Sequence, residues 1–200
     1  MRLRLAQLYG GLLLYGASSS LLVLAGLGLD PWDVFHQGLS RTIGLAIGTW
    51  AILVGLVVLL LWIPLRQRPG IGTVSNVVLI GGTMDIVLGY VHAPHALPAR
   101  IACLVCGVFL NGVATGAYIG AGLGPGPRDG LMTGFAARGH SIRVVRTAIE
   151  VAVLATGWLL GGTVGVGTVV YALAIGPLAH VFVPLFARGR PTPEHALEAV

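Results

Sequence analysis

Long apolar runs alternate with short polar breaks along the chain. Six runs reach spanning length: roughly Leu8 to Gly28, Ile47 to Leu65, Ile71 to Val91, Ile101 to Ala121, Val144 to Leu160 and Val166 to Phe186. About 20 helical residues cover a ~30 Å hydrocarbon core. Arg146 and Glu150 interrupt the fifth run. Two further segments, Pro31 to Thr42 and Pro127 to Arg138, are too short and too polar to cross. They read as short helices, either interfacial or re-entrant. The N-terminal run is long enough to span, so it reads as a retained first helix rather than a signal peptide.

The two short segments share a motif. Gly26-Leu-Gly-Leu-Asp-Pro31-Trp-Asp33 and Gly122-Leu-Gly-Pro-Gly-Pro127-Arg-Asp129 lie 96 residues apart. At the same spacing Gly11 and Gly16 match Gly107 and Gly112. One residue out of step, Gly70-Ile-Gly-Thr73 matches Gly165-Val-Gly-Thr168. Each half therefore reads span, short Pro-Asp helix, span, Gly-x-Gly-Thr turn, span. Three spans is an odd number, so the second half enters the membrane from the opposite side, as in many secondary transporters. The pattern predicts one all-α membrane domain over residues 1–190, with six transmembrane helices as two inverted three-helix repeats (5–95 and 100–188). The polar tail 191–200 is expected to be unstructured and cytoplasmic.

Charge supplies an orientation. All twelve basic residues are Arg. With a cytoplasmic N-terminus, nine of them, including Arg2, Arg4, Arg66, Arg68, Arg188 and Arg190, fall at or inside the inner boundary, while Arg41 and Arg100 fall outside. That bias predicts that both termini lie on the cytoplasmic side of the membrane. Only 10% of the 200 residues are charged and 56% are hydrophobic, against about 25% charged in soluble domains. The main partner is therefore the lipid bilayer. The scattered arginines form no patch for nucleic acid. Cys103 and Cys106 sit in an apolar run without polar company and read as packing residues. His92 and His95 lack a third ligand, so no metal is expected. No nucleotide loop, nucleophile motif or zinc motif is present, so neither a cofactor nor an enzyme activity is expected.

The Pro-Asp order suits a helix start. Pro fits the first helical position, Asp30 or Gly126 can cap, and Asp33 or Asp129 meets the positive dipole end. Paired short helices also point to a transporter site. The candidate binding residues for a small solute or ion are Asp33, Asp129, Glu150, Arg146 and Arg128. Glu150 stands out because an acid within a span is costly and Gly55 holds its equivalent place. Arg146, one turn earlier, can pair with it. Asp85 and His180 occupy equivalent positions in the third and sixth spans and suggest a proton relay. Gly112, Gly116, Gly120 and Gly124 form a stripe suited to close helix contact. That contact is either with the first span or with a second copy in a homo-oligomer.

Several segments resemble bacterial membrane proteins of the YczE/YitT type. These are Gly28-Leu-Asp-Pro-Trp-Asp-Val-Phe-His-Gln-Gly-Leu-Ser40, Trp62-Ile-Pro-Leu65, Pro125-Gly-Pro-Arg-Asp-Gly130, Ser141-Ile-Arg-Val-Val-Arg146 and Gly165-Val-Gly-Thr168. The likeness runs to about Pro184 and is closest to the YczE branch, since YitT proper adds a soluble domain. It implies a multi-pass bacterial plasma-membrane protein and supplies no substrate. The expected function is transport of a small solute, with proton coupling as an option. The alternative is a non-transporting scaffold or accessory subunit for a cytoplasmic partner.

Overall fold

The computed structural model describes residues 1–139 and 141–187. Arg188, Arg190 and the tail 191–200 lie outside the described residues. The described residues form eight helices and no strand. They are α1 (Arg2–Ala25), α2 (Pro31–Ile43), α3 (Ile47–Leu65), α4 (Ile71–Tyr90), α5 (Leu97–Gly120), α6 (Pro127–Ala136), α7 (Ile142–Leu159) and α8 (Val166–Phe186). The short Pro-Asp segments are helical, as the capping pattern requires.

Five helices are long and apolar enough to cross a membrane: α1, α3, α4, α5 and α8. α7 has 18 residues but carries Arg143, Arg146 and Glu150, which sets it apart from the other five. Large apolar side chains face outward along the long helices, among them Leu60 and Ile63 on α3, Val78 and Ile86 on α4, and Leu173 and Leu185 on α8. An outward apolar girdle of this extent suits lipid, and the chain is a multi-pass membrane protein by helix composition.

α1 and α5 form the centre. α1 ends where Gly26 takes φ 60°, a left-handed conformation that favours glycine. Its carbonyls at Ala25 and Gly26 accept from Arg100 Nε and a terminal guanidinium nitrogen at 2.7 and 2.8 Å. Arg4 does the same for Ala121 and Gly122 at the end of α5, both at 2.7 Å. Each of these residues in the first half has its counterpart 96 residues later. The two crossings therefore use equivalent bonds to fill the orphan carbonyls of a helix end.

Glycines set the helix distances. A Cβ on Gly11 would lie 2.8 Å from the Tyr118 amide nitrogen, and one on Gly107 would lie 2.8 Å from the Leu22 side chain, so these two permit the α1–α5 contact. The Gly112 stripe does not face α1. Cβ atoms on Gly112, Gly116 and Gly120 would lie 2.5–2.7 Å from Leu178, Phe182 and Phe186 of α8, and one on Gly124 would lie 2.8 Å from Thr73 Oγ1. The stripe is covered by the chain's own α8 and the α3–α4 turn. Within the chain, then, these glycines make room for α8 rather than for the first span. The reason is geometric: a glycine row admits a neighbouring backbone, but the row alone does not say which one.

Replacing Gly116 by Val puts side-chain atoms into the Phe182 backbone. It is expected to destabilise the protein by about 1–3 kcal/mol or prevent folding. Gly10→Ala, at a position with nothing within 4 Å, is expected to be tolerated. Thermal unfolding of both variants in detergent checks this.

Candidate functional site

The short helices start where each half docks on the other. Leu27, in the connection before α2, accepts a hydrogen bond from Gly167 N–H at 2.8 Å, and Leu123, in the connection before α6, accepts one from Gly72 N–H at 2.9 Å. Each Gly-Leu-Gly connection thus adds its carbonyl to the Gly-x-Gly-Thr turn of the opposite half. Thr73 Oγ1 also donates to Pro125 O at 2.7 Å. α6 is held further by Trp62 of α3, whose Nε1 donates to Pro127 O at 3.0 Å and whose ring fills the space left by Gly130. α2 lies against α7, where Gly157 approaches the Phe35 backbone as only a residue without Cβ can.

This docking turns the starts of α2 and α6 toward one cavity of about 170 Å³. All eight helices contribute to its lining. The first half brings Tyr15, Asp30, Trp32, His36 and Asn76, and the second brings Tyr118, Arg128, Asp129, Arg146, Glu150 and Tyr171.

At the start of α2, Asp30 is the N-cap. Its Oδ1 accepts from the backbone N–H groups of Trp32 and Asp33 at 3.1 and 3.3 Å. Arg128 from α6 brings a guanidinium nitrogen to 3.6 Å from the same oxygen. The Arg128 guanidinium also lies over the Trp32 ring, 4.8 Å from its centroid. At the start of α6, Asp129 Oδ2 accepts from Gly126 N–H at 3.0 Å and from the Tyr118 hydroxyl at 3.2 Å. Tyr15 meets Tyr118 edge to face at 6.0 Å. The Tyr171 hydroxyl donates to Asn111 Oδ1 at 2.9 Å, and Asn111 Nδ2 donates to Ser18 at 3.0 Å, which carries a polar chain from the cavity into the α1–α5 contact.

The sequence candidates divide. Asp129, Arg128, Arg146 and Glu150 all line the cavity. Arg146 Nε donates to Glu150 Oε1 at 2.9 Å, and the two side chains are 24% and 32% exposed. The pair is therefore solvated at the cavity wall rather than sealed in apolar surroundings. Asp33 lies outside the lining. It is buried behind it, 3.1 Å from His36 Nδ1, and Asp30 takes the place facing the cavity. Asp85 engages both oxygens at the start of α3, accepting from Gly48 N–H and the Thr49 hydroxyl at 2.7 Å each. His180 is exposed on α8. No hydrogen bond joins Asp85 and His180 among the described residues, and neither lines the cavity.

Asp30 and the tyrosines were missed as site residues. Asp30 reads in sequence as a cap, which it also is. The tyrosines carried a signal. Tyr15 corresponds to Asn111 at a spacing of 96, and Asn76 to Tyr171 at 95. A polar pair exchanged between halves marks positions that face the same interior.

The buried groups of the short helices lie outside the long apolar helices, and their protonation follows from burial. Burial pushes the Asp30 carboxyl up to about 8, the neighbouring Asp33 charge adds to this, and Arg128 opposes both. Burial, aided by the Arg128 charge, lowers His36 to about 3, so the ring is neutral. Burial also raises Asp129, against the hydrogen bonds from Gly126 and Tyr118.

The model of a family of unknown function, DUF6198, matches residues 3–184. This chain belongs to the DUF6198 family. An uncharacterised protein of Haemophilus influenzae is 41% identical over 174 residues, covering 86% of this chain and 80% of its own length. The uncharacterised membrane protein YczE of Bacillus subtilis is 35% identical over 185 residues, covering 91% and 86%. The uncharacterised protein YyaS of the same organism is 30% identical over 188 residues, covering 90% and 92%. No solved structure matches the chain. The YczE resemblance read from the sequence thus stands, and it brings a membrane location with it.

With its carboxyl raised to about 8, Asp30 is mostly protonated at pH 7 and ionises above pH 8. Infrared spectroscopy of the protein is expected to show a carboxylic-acid band that fades through about pH 8. Asp30→Asn is expected to remove that component of the difference spectrum.

Proposed function

We propose that this protein carries a small solute across the bacterial plasma membrane, and that the cavity between the two short helices is its binding site. The observation that carries this reading is the cavity itself: it is lined by all eight helices, and charged and aromatic side chains from six of them gather where two capped helix starts meet.

Three features support it. The cross-half bonds recur in equivalent pairs: Arg4 to the end of α5 and Arg100 to the end of α1, Gly167 to Leu27 and Gly72 to Leu123. That pairing favours two inverted three-helix repeats. On that plan α1, α3, α4, α5, α7 and α8 span, and α2 and α6 are re-entrant. α7 qualifies as the sixth span because Arg146 and Glu150 face the cavity while Val144, Val151 and Trp158 face outward. Irregular backbone near the membrane is tolerated when its polar groups find partners, and the Leu27 and Leu123 carbonyls of the two Gly-Leu-Gly connections do so across the halves. Finally, a carboxyl poised between protonated and ionised forms near neutral pH supplies a means of proton coupling, and Asp30 has that character. Both termini are then cytoplasmic by the arginine bias.

Purified protein in liposomes with an imposed pH gradient tests the reading. Flux of at least one member of a panel of small organic acids, amines and neutral solutes is expected. Glu150→Gln is expected to lower that flux by about two- to fivefold, the scale of a partly exposed ion pair. Folded protein that moves none of them contradicts transport and favours the scaffold alternative.

A further inference from the structure

The cavity contains one strong donor set that the fold does not use. Arg128 carries five N–H donors in a planar fork. None of them makes a hydrogen bond to the described residues, and the closest charged oxygen, Asp30 Oδ1, is 3.6 Å away. That oxygen already accepts two backbone N–H groups as the cap of α2. The other charges are engaged more closely. Arg146 is bonded to Glu150 at 2.9 Å, and Asp129 holds Gly126 N–H and the Tyr118 hydroxyl.

We propose that Arg128 is the anchor for the carboxylate of a small organic acid, whose apolar body lies against Tyr15, Tyr118 and Tyr171. This deepens the transporter reading and rests on it for the cavity's role. A guanidinium binds a carboxylate through two parallel N–H···O bonds, and the fork fixes the orientation of what it holds. The cation–π contact with Trp32, 4.8 Å from guanidinium carbon to ring centroid, holds the group in the cavity without using its N–H donors in hydrogen bonds to the described residues. Tyrosine faces give area for an apolar substituent without adding charge. A phosphate is disfavoured: its second negative charge would add to the repulsion from Asp129 and Glu150.

Asp30 is the internal competitor. It is faced by Asp33 and His36 on α2, Arg128 on α6, Tyr15 on α1 and Tyr171 on α8. When protonated it leaves Arg128 free for the solute's carboxylate. When ionised it competes for the guanidinium. Binding should therefore weaken as pH rises through about 8. Solute and proton then occupy the site together, which is the linkage a symporter needs.

Isothermal titration of the full chain in lipid nanodiscs tests this with benzoate, benzamide, benzylamine and inorganic phosphate. Saturable binding of benzoate is expected, without comparable binding of the other three. Arg128→Gln is expected to weaken benzoate at least about tenfold. Asp30→Asn is expected to retain benzoate binding and to remove its decline above pH 8, which decides the matter if the Arg128 variant does not fold. Benzylamine or phosphate binding in preference to benzoate, equal binding of benzamide, or no benzoate binding by folded protein overturns the carboxylate site. Benzoate binding without flux in liposomes leaves this site standing and contradicts transport. Amine flux without benzoate binding does the reverse.

Discussion

A backbone carbonyl or N–H buried in hydrocarbon without a partner costs several kcal/mol. This chain interrupts its helices with glycine-rich connections, so that cost has to be met between the halves. The connection after α1 gives its Leu27 carbonyl to Gly167, and the one after α5 gives its Leu123 carbonyl to Gly72. Arg100 and Arg4 fill the last carbonyls of the helices that precede them. Remove these contacts and both breaks in the chain hold unsatisfied backbone. The fold therefore depends on each half completing the other.

The cavity follows from that exchange. Docking fixes where α2 and α6 begin, and their starts carry the Asp30 and Asp129 caps. Arg128 reaches across to Asp30 and Trp32 of the other half. The halves share these cross-half bonds, but their packing and chemistry differ: α3 packs along α4, whereas α7 makes no comparable contact with α8 among the described residues. Trp32 stands where the second half has Arg128, and Gly55 where it has Glu150. Paired cross-half bonds thus frame a chemically asymmetric cavity.

Much of the fold was legible in the chain. Apolar runs and Pro-Asp starts gave all eight helices, because helix length and capping are local properties. The partner of each glycine was not legible. Gly11 and Gly16 differ by five residues, yet one faces α5 and the other α4. Only tertiary packing decides that, and the same lack misdirected the reading of the Gly112 stripe. In the site, Arg128, Asp129, Arg146 and Glu150 were recognisable because charge is rare in this chain. Asp33 was favoured over Asp30 because the repeat aligns it with Asp129. The repeat fixes equivalent backbone positions, while the cap geometry turned Asp30 to the cavity and Asp33 toward His36.

The proposed inversion of the two halves puts the equivalent Arg4 and Arg100 at opposite membrane faces. The most direct test is thiol labelling of Arg4→Cys and Arg100→Cys, each in a background with Cys103→Ser and Cys106→Ser, using a membrane-impermeant reagent on intact cells. Inverted halves predict that position 100 labels from outside and position 4 only after permeabilisation. Labelling of both positions from the same side would contradict it.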